Sequence, residues 1–322
     1  MDIRNISALL ICCVLIGLSA PTQGQAFPVK PVRIITSDVA GGAADSLLRL
    51  LNERLSPRLG QPVIVENRPG ADGMIAMDLC AKAPSDGHTL CLTAIALMSI
   101  TPQIRKVTFD PLEDVAPVTP LVRVGGVIFV NPSLQATSTR DLLELARSKP
   151  GSLTYASFGN GSAAHMLFEW LKRESGVDML HVPYQGGPPA LLSVVSGTNH
   201  TGYFALAGAV PQIRGGKIRA LAVHALVRSP LLPDVPTMRE AGFDYPLYSW
   251  FGMVTPRQVS ESLRTRIASE YSQIISDPSI YSAIENMGFQ PYTSNPKDFA
   301  QFLRTDRENA ARLIKLVQIK PD

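Results

Sequence analysis

The chain is short of nearly everything that announces chemistry. It holds four cysteines, two tryptophans and five histidines in 322 residues. Two of the cysteines, Cys12 and Cys13, fall in an apolar N-terminal stretch, leaving Cys80 and Cys91 for the remainder. Two cysteines without a histidine at ligand spacing do not make a zinc site. The histidines (His88, His165, His181, His200 and His224) show no i, i+4 pair with a helping carboxylate, so no metal is expected. "GNGSA" is not the G-x-S-x-G elbow of a hydrolase. "GGAADS" lacks G-x-G-x-x-G after its strand, and "RGGKIR" lacks the Walker spacing. Neither catalysis nor a cofactor is expected. A net charge of +3, spread over scattered lysines and arginines, argues against nucleic acid as a partner. After the first 26 residues no apolar run is long enough to span a bilayer.

What is present begins with a leader. Arg4 precedes the short apolar core "ISALLICCVLIGLSA", and Gly24 and Ala26 supply small residues before a cut after Ala26. Residues 1–26 therefore read as a cleavable secretory signal, and the mature chain as exported. Export permits a disulfide between Cys80, late in "DGMIAMDLCAKA", and Cys91 in "HTLCLTA". Two small buried thiols are the alternative.

The mature chain alternates strand-like and helix-like segments. "VRIIT" is β-branched, and "ADSLLRLLNERLSPRL" puts Leu47, Leu48, Leu51 and Leu55 on one helical face. "PVIVEN" and "HTLCLTA" follow as strands, and the same grammar restarts at "GVIFV". This predicts an α/β protein of two lobes, each a mainly parallel sheet flanked by helices. Lobe 1 is expected to comprise residues 27–127 and 250–322, and lobe 2 residues 128–249, with the C-terminal helices packed on lobe 1.

A strand, a glycine-rich turn and a helix occur together twice, in "RIITSDVAGGAADSLLRL" and "LTYASFGNGSAAHMLFEW". The first N–H groups of a helix have no internal partner and favour an anion. Ser162 also suits an ordinary N-cap. Ligands of open α/β sheets gather at the carboxyl ends of strands, so two such loops facing one cleft read as an anion clamp.

At these residues the chain resembles the Bug-type solute receptors of tripartite tricarboxylate transporters. "FPVKPVRII", "VIVENRPGADG", "APSDGHTL", "YASFGNGSAAH", "HVPYQGGPPALLSVVSG" and "LPDVPTMREAGF" carry the resemblance in order, from about Phe27 to Asp322. It implies a periplasmic, two-lobed, type II-like binding protein that closes on a small carboxylate and delivers it to membrane permease subunits. A monomer without cofactor is expected. It further implies ligand contacts from Gly41, Gly42, Ala43 and Asp45 in one lobe. In the other they come from Ser157, Gly159, Asn160, Gly161, Ser162 and His165, with Tyr184 and Gly186 nearby.

Two departures bear on the ligand. "SDVA" precedes the first glycine pair, so Asp38 either faces the cleft, disfavouring a second carboxylate, or serves as a turn and cap residue. "TNHTGYFALAG" puts His200 and Phe204 near places that are usually acidic in the family. Phe158, Tyr184 and Phe204 are either cleft wall or core. A sensing role beside a membrane kinase is the alternative to transport, and an exported hydrolase a remoter one.

Overall fold

The computed structural model describes residues 27–318. The leader assigned to residues 1–26 lies outside them. Strand β1 (Val32–Thr36) leads through a turn into helix α1 (Ala43–Leu59), and β2 (Val63–Asn67) into α2 (Met74–Ala81). Leu47, Leu48, Leu51 and Leu55 of α1 are wholly buried, as their spacing requires. Gly60, at φ 66°, closes the helix in the left-handed conformation that glycine adopts without strain. Strand β3 (Thr89–Ala94) runs into a single π-helical turn at Ala96–Ile100 and the short α3 (Thr101–Ile104).

Strand β4 (Val115–Val124) is separated from β5 (Gly126–Val130) by Gly125 alone, yet the two belong to different sheets. The chain continues through α4 (Thr139–Ser148), β6 (Thr154–Ser157), α5 (Ala163–Ser175) and β7 (Leu180–Pro183). Next come α6 (Gly187–Val195), β8 (Thr201–Ala205), α7 (Leu206–Arg214) and β9 (Arg219–His224). It returns in β10 (Ser249–Pro256), then α8 (Glu261–Ile275), α9 (Pro278–Asn286), β11 (Phe289–Pro291) and α10 (Pro296–Val317).

The strands form a six-stranded sheet, β11-β4-β10-β3-β1-β2, and a five-stranded one, β7-β6-β8-β5-β9. The α/β two-lobed architecture is as expected, but each sheet is mixed rather than mainly parallel. β2-β1-β3 and β7-β6-β8 are parallel, whereas β10 and β5 run antiparallel to both their neighbours. The reason is topological: β5 and β10 enter their sheets from the other lobe. They start at the edge where the parallel strands end.

One core fills the face of the first sheet under α1 and α8, and another lies under α6 and α7. A third joins residues of both lobes, including Ile35, Ile128, Phe168 and Trp250. Helix α10 packs against β4 and the π-helical turn, and also against α5 of the second lobe. Cys80 and Cys91 are bridged, with Cα atoms 6.1 Å apart, tying α2 to β3 across 11 residues of sequence. No helix among the described residues is long and apolar enough to cross a membrane.

Candidate functional site

A cleft of about 800 Å³ opens where the two sheets meet. Its lining joins parts of the chain that are distant in sequence. From the first lobe come the segment after β3 and Ser249, Trp250 and Phe251 of β10. The second lobe contributes Phe158 to Ala163 and Tyr184 to Gly186. Gly125, at the crossing between sheets, completes it. Among the described lining residues, Arg105 is the charged one.

The second-lobe loop is held open by its own geometry. Gly159 and Gly161 have φ of 119° and 73°, which side-chain-bearing residues rarely adopt. Ser162 is extended and its Oγ accepts the N–H of His165 at 3.3 Å, so it does cap α5. His165 Nδ1 in turn accepts the N–H of Gly161 at 3.0 Å. The first-turn N–H groups of Ala163 and Ala164 meet no acceptor among the described residues. This helix mouth remains a donor site on the cleft.

Ser157 does not reach the cleft. Its buried hydroxyl lies 2.6 Å from His181 Nε2 and bonds the loop backbone at Gly159. His181 stacks on His165 at 4.1 Å between ring centres and on Tyr155 at 4.9 Å. Burial, and then the neighbouring His165, push His181 down to about 4, and burial lowers His165 as well. Two neutral, stacked imidazoles thus brace the loop from behind. The Ser157–His181 pair escaped the sequence because the partners lie 24 residues apart on adjacent parallel strands.

The first-lobe loop is arranged differently. It lines a smaller pocket of about 210 Å³, which shares Ala94 and Phe251 with the main cleft. Asp38 and Ala43 line that pocket; Gly41, Gly42 and Asp45 do not. Asp38 is a cap: its Oδ2 accepts the N–H groups of Ala44 (2.8 Å) and Asp45 (3.2 Å), and its Oδ1 that of Val39. A Cβ on Gly42 would sit 2.4 Å from both carboxylate oxygens, so only glycine leaves them room. Asp45 is buried and accepts hydrogen bonds from Arg49, the Gly41 N–H and Asn67. The Arg49 hydrogen bonds lead in holding its carboxyl down to about 2.

Of the other candidates, Tyr184 lines the cleft and its hydroxyl accepts from Asn199 at 2.8 Å. His200 stands at the opposite end of β8 from the cleft, where Nδ1 accepts the N–H of Thr154. Phe204 packs its ring against Gly187 and Gly208. Behind the cleft, a cavity of about 20 Å³ is lined by His224, whose Nε2 meets no partner among the described residues.

Sequence reasoning missed the 94–105 segment and the start of β10. The former follows a strand that ends at the cleft, which was its available signal. The latter had none, since β10 arrives after a long connection. Beneath both lies Asp306 of α10, accepting from Ser99 Oγ at 2.6 Å and from Trp250 Nε1 at 3.2 Å. Burial raises its carboxyl to about 6.

Comparison with known proteins agrees with this geometry. The family described as tripartite tricarboxylate transporter family receptor matches residues 47–319. Protein BugT of Bordetella pertussis is 28% identical over 318 residues, covering 97% of either chain. The structure of Rpa4515 from R. palustris with adipate is 30% identical and superposes with a TM-score of 0.80, over 92% of this chain and 100% of that one. MatC (Rpa3494) of Rhodopseudomonas palustris, with bound malate, is 27% identical with a TM-score of 0.71, over 90% and 100%. The chain belongs to the tripartite tricarboxylate transporter receptor family, a family of periplasmic solute receptors.

Proposed function

We propose that the protein binds a small carboxylate between its lobes and delivers it to the membrane subunits of a tripartite tricarboxylate-type transporter. The observation that carries this reading is the open mouth of α5. Backbone donors with no acceptor among the described residues face a large cleft. Such donors are fixed before the ligand arrives, so little ordering is lost on binding. The ligand contacts are Gly159, Asn160, Gly161 and Ser162 at the carboxylate, with Tyr184, Gly186 and Phe158 around it. Ser157 and His165 act by shaping that loop.

Lobe 1 is read as residues 27–127 and 250–322 and lobe 2 as 128–249, the chain turning at Gly125 and again ahead of β10. Closure needs a ligand that touches both lobes, since equal affinity for open and closed forms shifts nothing. Removal of residues 1–26 would release the protein to the periplasm as a monomer.

The test is a thermal-shift screen of the mature protein against mono- and dicarboxylates, amino acids and neutral sugars. A ligand that binds only the folded state raises the melting temperature in proportion to the logarithm of its concentration. A rise confined to carboxylates is expected, and it should shrink in Ser162→Ala. A rise with neutral sugars alone would sink the reading.

A further inference from the structure

The side pocket of the first lobe has a chemistry opposite to that of the α5 mouth. Each Asp38 oxygen is already engaged by backbone N–H groups of the turn and of α1. The Ala44 and Asp45 donors that an incoming anion would seek are therefore held by the chain's own carboxylate. Arg49 does not offset that charge, because its hydrogen bonds go to Asp45. An anion entering here would meet a carboxylate, and like charges brought together at a binding interface repel.

A second observation is independent of the helix terminus. Thr93 is 1% exposed and lines the same pocket, and its Oγ1 meets no hydrogen-bond partner among the described residues. A buried hydroxyl without a partner is costly, and a ligand group that pairs with it recovers that cost. Leu92, Leu97 and Phe251 close the remaining wall. The pocket thus offers an acceptor edge at Asp38 and apolar sides, with an unpartnered hydroxyl buried in its wall.

We propose that this pocket selects the far end of the ligand, admitting a hydrogen-bond donor such as a hydroxyl or ammonium group and rejecting a second carboxylate. The protein is then a receptor for a monocarboxylate with a donor-bearing tail, unlike the relatives whose structures hold adipate and malate. Asp38 is the residue that sets this specificity, and Thr93 supports it. The inference rests on the receptor reading given above.

Titration calorimetry on the mature protein tests it. The probes are succinate, glutarate and adipate, each beside the monoacid of equal chain length ending in a hydroxyl or an ammonium group. The wild type should bind the best donor-ended acid at least about tenfold tighter than its matched diacid, a difference of about 1.4 kcal/mol. Asp38→Ala frees the first-turn donors of α1 and should gain about tenfold for the diacid. Asp38→Asn keeps the shape of the turn while removing the charge, and should narrow the gap if the alanine variant folds poorly. Thr93→Val should weaken donor-ended acids and leave diacids unchanged. The two tails, hydroxyl and ammonium, are distinguished by which arm of the series binds more tightly. Diacids binding as tightly as donor-ended acids, or a ratio that neither Asp38 variant moves, would overturn the assignment and leave the receptor reading intact. Failure of every acid to bind the folded wild type and variants would overturn both.

Discussion

The two helix mouths on the cleft side of this protein are built from nearly the same words and do opposite things. Both follow a parallel strand, both carry glycine in the left-handed region, and both open a helix with alanines. At α5 the cap is a serine, which takes the N–H of His165 and leaves those of Ala163 and Ala164 without an acceptor among the described residues. At α1 Asp38 folds back and takes the N–H groups of Ala44 and Asp45, the positions that correspond to Ala164 and His165. A neutral cap leaves an anion site; a charged cap fills one. Motif similarity between the loops is therefore a poor guide to shared chemistry, and the side chain that caps the helix decides it.

The largest expected effect breaks that contrast at its open end. Gly161→Val forces a β-branched residue into φ 73° and drives its Cβ to 3.0 Å from the Ile104 side chain across the cleft. Carboxylate binding should fall by at least about a hundredfold, roughly 2.7 kcal/mol, as measured by calorimetry. Gly41→Ala at the filled mouth has a similar φ of 79° but nothing within 4 Å of the new Cβ. It should cost about 1 kcal/mol of stability and leave affinity unchanged.

Of similar size is the effect of the disulfide, which belongs to the first lobe alone. Replacing Cys80 and Cys91 together by alanine frees a loop of 11 residues, for which chain entropy alone gives about 3 kcal/mol. Denaturant unfolding should show that loss, while affinity at the α5 mouth stays within about twofold. A large loss of affinity would mean the two lobes are not independent in binding.

Two further effects separate the lobes by pH. Asp306 in the first lobe is raised to about 6 by burial, so the folded state holds a proton that the unfolded state has lost. Its contribution to stability falls as pH rises from about 4 to 6 and is flat above that. His181 is lowered to about 4, so its neutral folded form contributes fully above the unfolded value of 6.5 and is lost as pH falls through 4. Melting curves of Asp306→Asn and His181→Gln between pH 4 and 7 should therefore deviate from the wild type with opposite slopes. Parallel slopes would show that one of these environments is wrongly described.

The alternation of strands and helices was plain in the sequence because periodicity is local. The leucine face of α1, the Ser162 cap and the two glycine turns were equally legible, since each depends on a few adjacent residues. What sequence left open was direction and partnership. Nothing in "SDVA" tells whether Asp38 turns outward or back onto the helix, because both conformations are ordinary for aspartate. The mixed sheets, the Ser157–His181 pair and the wall made by Ser249 to Phe251 all depend on where distant strands settle. His200 and Phe204 were drawn in by their position in a segment rather than by geometry, and β8 carries them to its far end and into packing.

One feature of the cleft wall makes the molecule its own instrument. Trp250 lines the cleft, is 1% exposed, and donates its indole N–H to Asp306 while Phe299 and Phe302 meet its ring edge-on. The other tryptophan, Trp170, sits on α5 against Tyr245, apart from the cleft lining. One of the chain's two indoles thus stands at the ligand wall, beside a carboxyl that burial raises to about 6. Occupancy of the cleft and the charge on Asp306 should each change the emission of that indole, a readout that needs no label.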